Sequence, residues 1–211
     1  MNKNLSFKHY LLTEMPLPTD WDKNKFNNNT PFAQQIRYAK ERAQQIGVGS
    51  SRVAFIVPYQ GRQTVLKIAK NKKGLAQNEH EVGKLNDYYL NSLNITIPII
   101  DYDEESNLPT WIHTEYASKA KNSDFIKACG GTLADLCAYA VEYHGGNDWT
   151  GGNASKINGE SDLADGFAEF IGNYDTPIND YNRLSNWGIY KNNPVIVDIG
   201  VDKDILKTYY S

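Results

Sequence analysis

The chain has 211 residues and 40% hydrophobic content, enough for one domain or two small ones with a true core. Its 22 basic and 25 acidic residues are spread along the whole length and leave a net charge of -3, which argues against the basic stripe of a nucleic-acid footprint. No stretch reaches the ~20 apolar residues of a membrane span, and the opening MNKNLSFKHYLL lacks the apolar run of a signal peptide. A soluble, cytoplasmic protein is expected, with no nucleic-acid or membrane partner.

Residues 5 to 17 read as a short strand or an arm, and WDKNKFNNNT after them as a polar linker. A helix is then expected, with Thr30 as N-cap, Pro31 at the first position, and Phe32, Ile36, Ala39, Ala43 and Ile46 recurring at helical spacing up to Gly47. From there the pattern turns to strands. VAFIVPY (53–59) and QTVLKIAK (63–70) flank a Gln-Gly turn as a hairpin. A second helix is predicted over 75–90, then strands over 95–102 and 109–117. Residues 120–172 read as helices parted by a Gly- and Asn-rich loop, with Cys129 and Cys137 about two turns apart on one helix and both reduced. Strands over 187–191 and 195–201 close the chain. This order describes a two-lobed α+β domain.

Three groups of residues point to chemistry. Gly47, Gly49, Ser50, Ser51, Arg52 and Val53 form a Gly-rich turn that runs into a strand, a setting in which backbone N–H groups can approach a phosphate; taken alone, the same residues read more simply as a helix C-cap at Gly47 followed by an ordinary hairpin turn. Lys67 sits among apolar strand residues, where a desolvated ammonium needs a partner or a phosphate, unless it lies on a solvated outer face. Glu81 or Glu79 on the following helix can supply the partner. The two cannot face the same way, and Glu81 has apolar Val82 and Leu85 beside it. Last, Asp198 ends an apolar strand before Ile199-Gly200, with Asn186-Trp187-Gly188 upstream; an acid so placed suits Mg²⁺ against phosphates, or a solvent-facing turn.

In order, these pieces resemble the protein-kinase set of Gly-rich loop, strand lysine, helix glutamate, Asn-bearing loop and Asp-x-Gly. The stretches GSSRVAF, VLKIAKNKKGLAQNEHEV and NWG followed by VIVDIG are similar to those of small kinase-like proteins of tailed phages and prophages, over about residues 31–211. The resemblance implies an α+β, protein-kinase-like fold. Residues 1–30 would be an arm and linker, 31–118 an antiparallel-sheet N-lobe with one main helix, and 119–211 a reduced, mostly helical C-lobe ending in a β-hairpin.

It implies ATP and Mg²⁺ as ligands. The turn from Gly47 to Arg52 would cover the phosphates, Lys67 would contact them and Glu81 would anchor Lys67. Asn186 and Asp198 would hold the metal. The segment Thr114 to Ala117, with Glu115 and Ala117, would take adenine by its backbone in a pocket of Val53, Ala54 and Val65. Asp180 would be the base, although kinase spacing puts Tyr181 five residues before Asn186 and Asp180 six before. Eleven residues follow Gly200, so no activation segment or peptide-docking platform is expected. The function implied is a nucleotide-binding phosphotransferase acting on a protein, with a pseudokinase acting as a binding or structural module, in a phage particle or against a host target, as the alternative. The scattered His9, His80, His113 and His144 match no zinc spacing. Trp111, Trp149 and Trp187 are expected to pack in the core, and Tyr209 and Tyr210 to hold down the tail.

Overall fold

In the computed structural model, which describes residues 17–18, 20–26, 29–146, 151–174, 177–201 and 203–209, the central hairpin forms where two apolar runs flank Gln60 and Gly61. Both turn residues have positive φ, 46° and 76°, which matches the twist that a two-residue hairpin turn must impose. The strands are β2 (Arg52–Tyr59) and β3 (Arg62–Ala69), joined on one side by β1 (Gln44–Val48) and on the other by β5 (Trp111–Glu115) and β4 (Ile99–Tyr102). The antiparallel sheet runs β1-β2-β3-β5-β4.

Register divides this sheet into two faces. The rows Val53–Ile68–Trp111 and Phe55–Leu66–His113 share one face, and Ala54–Lys67–Ile112 and Ile56–Val65–Thr114 share the other. The first face is closed by α1 (Phe32–Lys40) and by the segment before it: Leu17, Trp21 and Phe26 are buried there with Ala39, and Trp21 stacks on Phe26 at 5.5 Å between ring centroids. Residues 21–26 therefore complete a core and are not a polar linker. Residues 5–16 of the expected arm, Trp149 and Tyr210 lie outside the described residues.

The first helix ends at Lys40, six residues before its expected last apolar position. Ala43 and Ile46 fit the helical period, but Gln44 to Val48 pair with Val53 to Ile56, and the ladder bonds outweigh the helical spacing. Pro31 takes the N-cap position, and the Thr30 hydroxyl donates instead to the Asn24 carbonyl.

The predicted second helix divides into α2 (Lys72–Leu85) and α3 (Tyr88–Ser92), each capped by the side chain before it, Asn71 and Asp87. The second half contains α4 (Asn122–Cys129), α5 (Leu133–Tyr143), α6 (Asp162–Asn173), α7 (Ile178–Tyr181) and a small sheet of β6 (Ser118–Lys119), β7 (Trp187–Tyr190) and β8 (Asn193–Ile196). Gly130, at φ 90°, ends α4, so Cys129 and Cys137 lie on different helices. Both thiols are free and buried, and burial pushes Cys137 up to about 12.

The last predicted strand stops at Ile196, and α8 (Lys203–Tyr209) follows. The chain does not end on its hairpin. Ile205 of α8 is buried, whereas Tyr209 is exposed. The fold is mixed α+β, with an antiparallel N-terminal sheet and several helices.

Candidate active site

The Ala54–Lys67–Ile112 face of the sheet looks toward α7, β7 and the Asp198 segment across a cavity of about 740 Å³. That size falls within the roughly 300–1,000 Å³ of small-molecule sites. The Gly-rich turn forms one rim. Gly47 lies within β1, paired with Ala54, and is not a helix cap. Four successive carbonyls, those of Gly49, Ser50, Ser51 and Arg52, accept from Lys70 Nζ (2.8 Å), Asn71 Nδ2 (3.2 Å), Lys70 N (2.7 Å) and Gly49 N (2.9 Å). The Ser51 hydroxyl donates to Gln77 Oε1. The turn is thereby fastened to the start of α2.

Lys67 Nζ donates to Glu81 Oε1 at 2.5 Å and to the Val197 carbonyl at 2.6 Å. Glu81 is on the buried side of α2, while Glu79 is exposed. The other Glu81 oxygen accepts from Arg52 Nη1, and Arg52 Nη2 donates to Asp198 Oδ1 at 2.5 Å. Asn78 Oδ1 lies 3.4 Å from Arg52 Nη1. The Arg52 side chain thus leaves the rim formed by the Gly-rich turn and runs beneath it, binding the two carboxylates together. Burial works against the Arg52 guanidinium and alone would lower its pKa, but Glu81 and Asp198 outweigh it and raise it. Burial likewise pushes the Asp198 carboxyl up, but Arg52 and Lys67 hold it below the usual carboxylate range.

Asp180, on α7, lines the cavity and pairs with Arg183 at 3.8 Å. Tyr181, at the position kinase spacing assigns to the base, is instead a core residue. Its ring meets Phe170 edge-on at 5.1 Å, and its carbonyl accepts from the Trp187 indole at 2.7 Å. The Asn186 amide donates to the Asp180 carbonyl at 2.8 Å, which folds the loop onto itself.

Thr114, Glu115 and Ala117 line the far wall. The Glu115 N–H donates to the Pro98 carbonyl at 3.0 Å and its carboxylate pairs with Arg62 at 2.8 Å. Ala54 and Val65 line the cavity, but Val53 does not: it is buried on the opposite face against α1. One residue along a strand exchanges faces. The kinase pattern G-x-G-x-x-G-x-V, counted from Gly47, itself ends on Ala54. Ile56, which sequence reasoning left out, joins Ala54 and Val65 on the cavity face by the same period of two.

Of the two residues expected to hold Mg²⁺, Asp198 already faces a cation of the protein itself. Mg²⁺ requires near-octahedral oxygen ligation; Asp198 Oδ1 is bound to the Arg52 guanidinium, while the Asn186 amide nitrogen donates to the Asp180 carbonyl, which leaves Asp198 Oδ2 and Asn186 Oδ1 as the oxygens that could ligate. Among the described residues, no group of three or more His, Cys, Asp or Glu side chains could hold a metal ion.

No protein-family model matches the chain, and no curated protein does. Among solved structures the chain is similar to the aminoglycoside phosphotransferase APH(4)-Ia, at 16% identity over 53% of this chain and 36% of that one, with a TM-score of 0.29. The chain thus spans about a third of that enzyme's length. No helix among the described residues is long and apolar enough to cross a membrane.

Proposed function

We propose that the chain is a reduced protein-kinase-like domain whose cleft binds a nucleotide such as ATP. The base would lie against Ala54, Ile56 and Val65 near residues 114–117, and the phosphates beneath the Gly-rich turn at Lys67. The observation that carries this reading is the buried Lys67–Glu81 pair, at 2.5 Å, opening on a cavity roofed by that turn. A strand lysine so held presents a fixed positive charge to a polyphosphate. The test is thermal unfolding with and without ATP. Saturation at a hundredfold excess over Kd stabilises by about 2.7 kcal/mol, on the order of 5–10 °C for a chain of this size. That shift is expected for the wild type and absent in Lys67→Ala, each measured against its own ligand-free baseline. No shift in the wild type overturns the reading.

A second reading, a nucleotide-binding module that does not transfer phosphate, is favoured by the bond between Arg52 and Asp198. In the transferring version Asp180, which lines the cavity, takes the proton of an acceptor hydroxyl on a protein, and Asp180→Ala lowers transfer of labelled γ-phosphate by about 10²–10⁴-fold. In the module, label never leaves ATP although the thermal shift persists.

A further inference from the structure

We propose that Arg52 is the resident cation of the cleft, so that nucleotide phosphates are taken by Arg52 and Lys67 without a divalent ion. This rests on the nucleotide reading above. Arg52 and Lys67 face Glu81 and Asp198 in one connected group, so the two positive and two negative charges sum to zero within the protein. The Arg52 side chain keeps 9% of its surface exposed and Glu81 keeps none, so this is a built-in, desolvated arrangement. Its space is shaped to the guanidinium: a Cβ added at Gly200 would lie 3.0 Å from Arg52 Nη2, 3.1 Å from Nη1 and 3.0 Å from the Gln77 carbonyl. The glycine of Asp-Ile-Gly therefore makes room for Arg52.

Three contacts, to Glu81, Asn78 and Asp198, use three of the five N–H donors that a guanidinium carries. The remaining donors belong to a group that never loses its charge and that matches phosphate geometry bidentately. The Asp198 side chain, 44% exposed at the cavity wall, is the labile end of the network. An entering phosphate competes with that carboxylate for Arg52 Nη2, whereas the fully buried Glu81 keeps its hold on Nη1. Arg52 occupies the third-glycine position of the turn, and its side chain brings to the carboxylate the positive charge that a metal would otherwise supply.

The test is a fluorescence titration of the full chain with the N-methylanthraniloyl derivative of ATP, in excess EDTA and in excess magnesium. The wild type is expected to bind with the same affinity in both. Arg52→Gln is expected to weaken binding in EDTA by about tenfold or more, the loss of a hydrogen bond to a charged group. Should that variant fail to fold, Asp198→Asn decides. With the competing charge gone Arg52 is released to the phosphates, and binding in EDTA tightens; weakening by this variant contradicts the proposal. Wild-type binding that requires magnesium overturns the inference and leaves the nucleotide reading intact. Absence of binding in both conditions overturns that reading and the inference with it.

Discussion

The Glu81 carboxylate, with no exposed side-chain surface, accepts from two cations that come from different strands, Arg52 of β2 and Lys67 of β3. Its removal strands both, so Glu81→Ala is expected to cost about 3–5 kcal/mol in urea unfolding, as for other broken buried pairs. Glu79→Ala, two residues away and exposed, is expected to stay within about 0.5 kcal/mol of the wild type. The pairing of Lys67 with Glu81 was legible because Val82 and Leu85 mark the buried side of the helix. The route of Arg52 was not. Its partner Asp198 lies 146 residues away, and nothing local distinguishes a side chain that covers a ligand from one that passes beneath it. The exchange of Val53 for Ala54 was a matter of strand parity, readable once Lys67 is taken as facing the cleft.

Helix α2 carries Glu81 and is set by its first turn. Asn71 caps it, accepting from the Gly74 N–H at 3.1 Å, and a Cβ at Gly74 would run into the Ser51 carbonyl and lie 3.1 Å from Ala69. Gly74→Ala therefore pushes α2 from the Gly-rich turn, and a loss of about 1–3 kcal/mol is expected. Gly83, on the same helix, is exposed with nothing near its Cβ position. There the same substitution gains about 0.5–1 kcal/mol. Paired thermal melts of the two variants check both signs.

Asp135 acts as a clasp. It accepts from the Thr132 hydroxyl and N–H at the start of α5 and from the Asn153 N–H across the loop, at 2.7, 2.9 and 2.8 Å. Burial opposes its charge, yet these bonds and Lys156 bring its carboxyl down to about 2, from the ordinary 3.8. A depressed folded-state value means that this stability is complete above the unfolded value and is lost as pH falls toward 2. Urea midpoints measured from pH 5 downward are expected to fall less steeply in Asp135→Asn than in the wild type. Elements with strong periodicity, such as the central hairpin, were legible. The β1 strand was hidden because Ala43 and Ile46 suit either period, and the break at Gly130 was hidden within an otherwise continuous apolar helix pattern.

At the scale of the molecule, the sheet half and the helical half meet along a few strong contacts. The Ile97 N–H donates to the Ile196 carbonyl and the Ile196 N–H to that of Ile95, at 2.9 and 2.7 Å, while Lys67 reaches the Val197 carbonyl and Arg52 reaches Asp198 across the cleft. The central hairpin, the helix carrying Glu81 and the β7–β8 hairpin were readable from sequence, whereas β1, α3 and α8 were not, nor was the meeting of the two halves across the cleft, which depends on these long-range bonds. A nucleotide bound between the Gly-rich turn and residues 114–117, as proposed above, would shield both segments from solvent. Amide hydrogen exchange with and without saturating ATP tests this most directly. Slower exchange at residues 47–53 and at 114–117 together is the result expected, and unchanged exchange at both segments would contradict it.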